Sequence, residues 1–197
     1  MLTPKKGDYQ SLSLSPEGRQ IADSWDPAKD EASGNECKGY GAPAIMRLPT
    51  RVHITWDDDN TLKIDTDTGT QTRQLHFGPS RPQGAEPTLQ GYSAAEWQSA
   101  GGRGGGARGG QSRTGQLKVV TTNLRPGYLR KNGVPYSADT VLTEYFNRIK
   151  ESNGDEYLLL TVIVQDPRYL TQSTIRTSEF KMEPNGSKWS PTPCSAR

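Results

Sequence analysis

Eight stretches of this chain alternate apolar and polar residues with a period of two, nearly all joined by short turns, and no helical pattern lies between them. Past Pro49, Val52, Ile54 and Trp56 alternate with Arg51, His53 and Thr55. Asp57-Asp58-Asp59-Asn60 then makes a turn, and residues 62–65 alternate again. Further strands are expected over 70–77, 91–98, 116–123, 140–150, 156–165 and 174–182, with Asn153-Gly154 as a hairpin turn. A parallel connection needs about a dozen residues or more and is usually a helix. The missing helices therefore exclude a parallel α/β sheet. The pattern predicts an all-β fold, an antiparallel up-and-down β-barrel of lipocalin-like form with about eight strands. Such a barrel has room for side chains or for one small ligand.

The rest of the chain is read around those strands. Ser15-Pro16-Glu17 carries a helix start: an N-cap serine, proline at the first helical position and an acid at the positive end of the dipole. Asp26-Pro27 ends this short helix, and residues 26–49 read as irregular with one further turn near 44–46. Three parts follow: a leader over 1–49, a barrel over 50–183 with a Gly/Arg-rich loop inserted at 99–114, and a tail over 184–197. Apolar residues make up 31% of the chain, too few and too scattered for a membrane-crossing helix. With 24 basic and 22 acidic residues the net charge is +2, which leaves no polyanion footprint in the global count. In the Gly/Arg-rich stretch Arg103, Arg108 and Arg113 have no interleaved aromatic, so a hairpin-tip insertion is favoured over a nucleic-acid partner. Cys37 and Cys194 form no zinc pattern and are compatible with reduced thiols or with a single disulfide. The residues after Met1 are polar, which suits a cytosolic chain or a mature form without its signal.

Gly91-Tyr92-Ser93-Ala94-Ala95-Glu96-Trp97 and Gly115-Gln116-Leu117-Lys118-Val119-Val120-Thr121-Thr122-Asn123 resemble a family of secreted bacterial proteins frequent in acidobacteria and soil metagenomes. Their strand-turn-strand pattern reads G-Y-S-x-x-x-W-E-G-D-x-L-V-V-x-T-T-N. The likeness continues through residues 125–130 and Asp166-Pro167-Arg168-Tyr169-Leu170, and includes Gly7-Asp8-Tyr9, Arg19, Ala22-Asp23 and Trp25. Where the family has a tight W-E-G-D turn, this chain carries the Gly/Arg insert, which sets aside any role for a turn acid. The resemblance implies export and a lipocalin-like architecture, and it brings no activity with it. Implied export in turn favours a Cys37–Cys194 disulfide and a periplasmic or secreted location.

No nucleophile elbow, zinc-protease motif, phosphate loop or dinucleotide fingerprint is present, and no cofactor or metal is expected. Asp57-Asp58-Asp59-Asn60 lacks the spacing and the distal Glu of a calcium loop and reads as a solvated turn. Candidate chemistry comes from alternation. Thr72, Gln74 and His76 share one face of their strand; Leu142, Glu144, Phe146 and Arg148 share one face of theirs. The expected site is a lumen lined by Trp56, His76, Tyr145 and Arg148, with His53 and Glu144 as alternatives. Glu144 and Tyr145 cannot both point inward without a bulge. His76, His53, Glu144 and Tyr145 are the catalytic candidates; Trp56, Arg148, Tyr128 and Tyr136 are the ligand-binding ones. Two functions fit: a binding barrel for a small, partly apolar molecule, or a cofactor-independent acid–base enzyme (hydrolase, lyase or isomerase). A histidine and a carboxylate in one cavity would separate the second from the first.

Overall fold

All eight anticipated strands form, and they hydrogen-bond into one curled sheet in the computed structural model, which describes residues 4–78, 85–99 and 115–197. In chain order they are β1 (Val52–Asp58), β2 (Thr61–Thr66), β3 (Gln71–His76), β4 (Tyr92–Ser99), β5 (Gly115–Thr122), the short pair β6 (Gly127–Tyr128) and β7 (Pro135–Tyr136), then β8 (Val141–Lys150), β9 (Glu156–Gln165) and β10 (Thr174–Lys181). The sheet order is β1-β2-β3-β4-β5-β8-β9-β10, with β6 and β7 pairing separately. The Gly/Arg-rich stretch lies outside the described residues beyond Ser99.

One pair departs from the expected meander. β3 and β4 run parallel, through Leu75–Ser93 and His76–Ala94. The connection between them, residues 77–91, exceeds the dozen or so residues a parallel return needs, so the lack of a helical pattern in the sequence did not force every pair to be antiparallel. β1 and β10 stand at the two ends of the strand order, with no ladder between them among the described residues.

The registers place every second residue on one concave face. Ile64 opposes Arg73, Leu75 opposes Ser93, Ala95 opposes Val119, Val119 opposes Glu144, and Glu144 opposes Val162. Ile64, Leu75, Val119, Leu142 and Leu160 on this face are fully buried. At roughly 25 cal/mol per Å², each such aliphatic side chain contributes about 2 kcal/mol.

The leader completes the core instead of trailing from it. Helix α1 (Pro16–Ser24) is capped by the Ser15 hydroxyl, which accepts from the Gly18 N–H. Trp25 closes α1, and Asp26 caps α2 (Pro27–Ala32), a second helix where irregular chain was expected. α3 (Ala42–Ile45) supplies the turn expected near residue 44. Tyr9, Leu12, Ala22, Tyr40, Ile45 and Met46 join the same core cluster as the sheet. Leu14 bridges Leu170, and the Thr171 N–H donates to Ser13, so the leader runs beside the segment entering β10. The tail returns to the β2–β3 turn and to β1, where Thr192 pairs with Thr68 and Trp189 meets the His53 ring. Cys194 is disulfide-bonded to Cys37, with Cα atoms 5.1 Å apart.

Several of the motif residues singled out in the sequence have structural roles. Gly91 sits at φ +63°, and a Cβ there would lie 2.4 Å from the Thr122 carbonyl oxygen. Asn123 adopts φ 56° and donates to the carbonyls of Ala85 and Glu86. Buried Asp166 accepts from the Ser137 N–H and hydroxyl, the Thr140 hydroxyl and the N–H groups of Arg168 and Tyr169.

Candidate binding site

The alternation that grouped Leu142, Glu144, Phe146 and Arg148 holds, and it puts a carboxylate among aliphatic neighbours. Glu144 is 0% exposed and receives two hydrogen bonds from Arg73, at 2.9 and 2.5 Å. Arg73 is 1% exposed and also contacts the Thr121 hydroxyl, which shares a 2.7 Å hydrogen bond with Ser93. Four strands thus tie one polar network inside an apolar layer. Desolvating both ions is costly, and their bidentate pairing offsets much of that cost. Arg73 was not anticipated. The available signal was a lone basic residue in phase with Leu75, matched by a lone acid between Leu142 and Phe146.

The other predicted residues separate by face. Trp56 and Arg148 share the concave side with Glu144 but lie toward the open rim. Trp56 is 54% exposed and packs on Phe77, whose ring stacks on Trp97, itself 60% exposed. Arg148 is exposed and bound to Glu156. His53, His76 and Tyr145 belong to the opposite, outer phase of their strands, so the expected lining of Trp56, His76, Tyr145 and Arg148 is not one surface. His76 stacks on Tyr92, with ring centroids 4.9 Å apart. Tyr128 and Tyr136 belong to the β6–β7 hairpin. The Tyr128 hydroxyl donates to Asp30, which also accepts from Trp25 and Lys38; burial and this contact raise the phenol's pKa. Tyr136 is fully buried, and burial raises its pKa as well.

A groove of about 490 Å³ opens where the leader, the segment after α3, the β6–β7 hairpin and β10 meet. That volume lies within the range of small-molecule sites. Its apolar wall is Pro4, Ala44, Leu48, Pro49 and Leu129; its polar wall includes Arg47, Arg130, Lys131 and Arg176. Arg130 and Arg176 converge on one oxygen, each donating to the Ser11 hydroxyl, at 2.7 and 2.6 Å. Ser11 holds φ 72°, an uncommon conformation for a residue with a side chain. Arg47 donates to the Leu129 carbonyl at 3.3 Å. Burial, reinforced by the charges of Arg130 and Arg176, lowers the Arg47 pKa to about 10. Burial and Arg176 likewise lower that of Arg130, with Asp8 acting in the other direction. None of the three arginines forms an ion pair among the described residues. Two unit charges about 5 Å apart repel by roughly 3 kcal/mol at an effective dielectric of 20. The cluster is a concentration of positive charge that the protein leaves largely uncompensated.

Among the described residues no group of histidines, cysteines and acids is placed to hold a metal ion, and no helix is long and apolar enough to cross a membrane. Comparison of the chain with family models, with curated proteins and with solved structures found no match.

Proposed function

We propose that this chain is a binding protein for a small, partly apolar molecule, of lipocalin-like type. Its ligand sits in the groove beside β10 and not deep between the sheet's walls. The observation that carries this reading is the pairing of an apolar wall at Ala44, Leu48 and Leu129 with hydrogen-bond donors at Arg47 and Arg176, around space for a whole small molecule. The concave face nearer the sheet's centre is filled by Ile64, Leu75, Leu142 and Leu160. β1 and β10 share no ladder among the described residues, and the leader and α3 line the groove beside β10. Export fits the disulfide, since such bonds persist in oxidising compartments, and the motif resemblance points the same way.

The acid–base alternative draws less support. It needs a histidine beside a carboxylate in one cavity, whereas His53 and His76 are on the outer face and Glu144 is occupied by Arg73. The binding reading is tested by extracting purified protein with organic solvent and identifying small molecules by mass spectrometry. Thermal-shift screening of a metabolite library accompanies it. Leu48→Trp, which narrows the groove, is expected to abolish binding of any hit, and Trp56→Ala at the rim to preserve it. The reverse pattern would move the site to the rim and overturn the groove assignment.

A further inference from the structure

We infer that the groove is an oxyanion site, holding the carboxylate or phosphate end of its ligand on Arg47, Arg130 and Arg176 while the apolar remainder lies along Leu48 and Leu129. This rests on the reading of the groove as a small-molecule site and adds the charge class of the molecule. Arg130 is 8% exposed and its Nε has no hydrogen-bond partner. That atom is enclosed, so an anion in the groove meets Arg130 through its charge and not through Nε. Arg130 and Arg176 are already brought together on a neutral hydroxyl, which satisfies donors but cancels no charge. Lys131 is engaged elsewhere, donating to the Tyr40 hydroxyl and lying over its ring, so three arginines and not four cations define the anion seat. Asp8 is the acid lining the groove, and no hydrogen bond joins it to any of the three. Guanidinium groups suit planar and tetrahedral oxyanions alike because each offers paired N–H donors.

Such a seat has an unusual signature. Removing one arginine relieves repulsion in the free protein and weakens the complex, whereas loss of a merely structural arginine lowers stability. The test uses the full disulfide-bonded chain and three probes of equal tail length: octanoate, octyl phosphate and octanol. Binding is followed by calorimetry and melting temperature. Octanoate or octyl phosphate should bind at least about tenfold more tightly than octanol, and the preferred one fixes the headgroup. Arg47→Gln and Arg176→Gln should each weaken the anionic probe by about tenfold to a hundredfold. The melting temperature of the unliganded protein should stay unchanged or rise. Equal affinity for octanol and both anions overturns the oxyanion assignment and leaves the groove as a neutral-ligand site. Failure of all three probes to bind overturns the groove reading with it. A fall in unliganded melting temperature in both variants, with anion affinity unchanged, assigns the arginines to structure alone.

Discussion

Taking the carboxylate from Glu144 while Arg73 stays leaves a guanidinium buried without its counter-ion. Glu144→Gln and Arg73→Met are each expected to cost about 3–5 kcal/mol in guanidinium denaturation. The double variant Arg73→Met/Glu144→Leu should recover most of that loss, because it buries neither charge. A double variant as unstable as the sum of the singles would mean that shape, and not charge pairing, is what the network supplies. Asp166 makes a complementary case. Burial works against its charged form, yet the hydrogen bonds from Ser137, Thr140, Tyr169 and Arg168 together hold its pKa below the usual carboxylate value. A carboxylate with a depressed folded pKa contributes stability that is complete above its unfolded pKa of about 4 and is lost as pH falls through the folded value. Asp166→Asn should therefore lower stability at pH 7 by about 3 kcal/mol. It should also flatten the fall in melting temperature below about pH 4. An unchanged acid limb in the variant would place the acid sensitivity at other carboxylates, of which Asp67, bound by Arg51 and Thr50, is the next to test.

Among the elements, β4 depends most visibly on a single backbone choice. Gly91 enters it with positive φ against the Thr122 carbonyl, and Gly91→Ala is expected to cost about 2–3 kcal/mol through strain and displacement of β5. A melting temperature equal to the parent's would show that the turn has another accessible geometry. The strands themselves were legible because period-two alternation and turn residues are local signals, and the shared face of Leu142, Glu144, Phe146 and Arg148 followed from them. The parallel pairing of β3 with β4 was not legible, since partner choice across a connection of more than ten residues is settled by packing and not by local pattern. The phase of each strand was likewise open: His53 and His76 are equally spaced for the inner or the outer face. Only the register against Asp65 and Thr61 puts them outside. Least legible was the groove. Arg47, Arg130 and Arg176 come from three distant segments, and no spacing rule joins them.

At the scale of the molecule, the leader and tail are fastened to each other and to the sheet. The Cys37–Cys194 bond spans 157 residues and encloses every strand. By chain entropy it stabilises the native state by up to about 5 kcal/mol. Cys37→Ser/Cys194→Ser should lose about 3–5 kcal/mol in denaturant midpoint analysis. A loss well under 1 kcal/mol would mean that the contacts of Thr192 with Asp67 and Thr70, and of Ser195 with Tyr40, anchor the tail by themselves. The position of this bond in the chain has a kinetic consequence. Cys194 follows all eight sheet strands, so a ribosome delivers it only after every ladder has been synthesised. The bridge therefore takes no part in choosing partners during synthesis; it seals an assembly that long-range strand pairing has already found. Until Cys194 reacts, that pairing alone must hold the strands. The slow step of maturation is then expected to be strand assembly and not closure of the bridge.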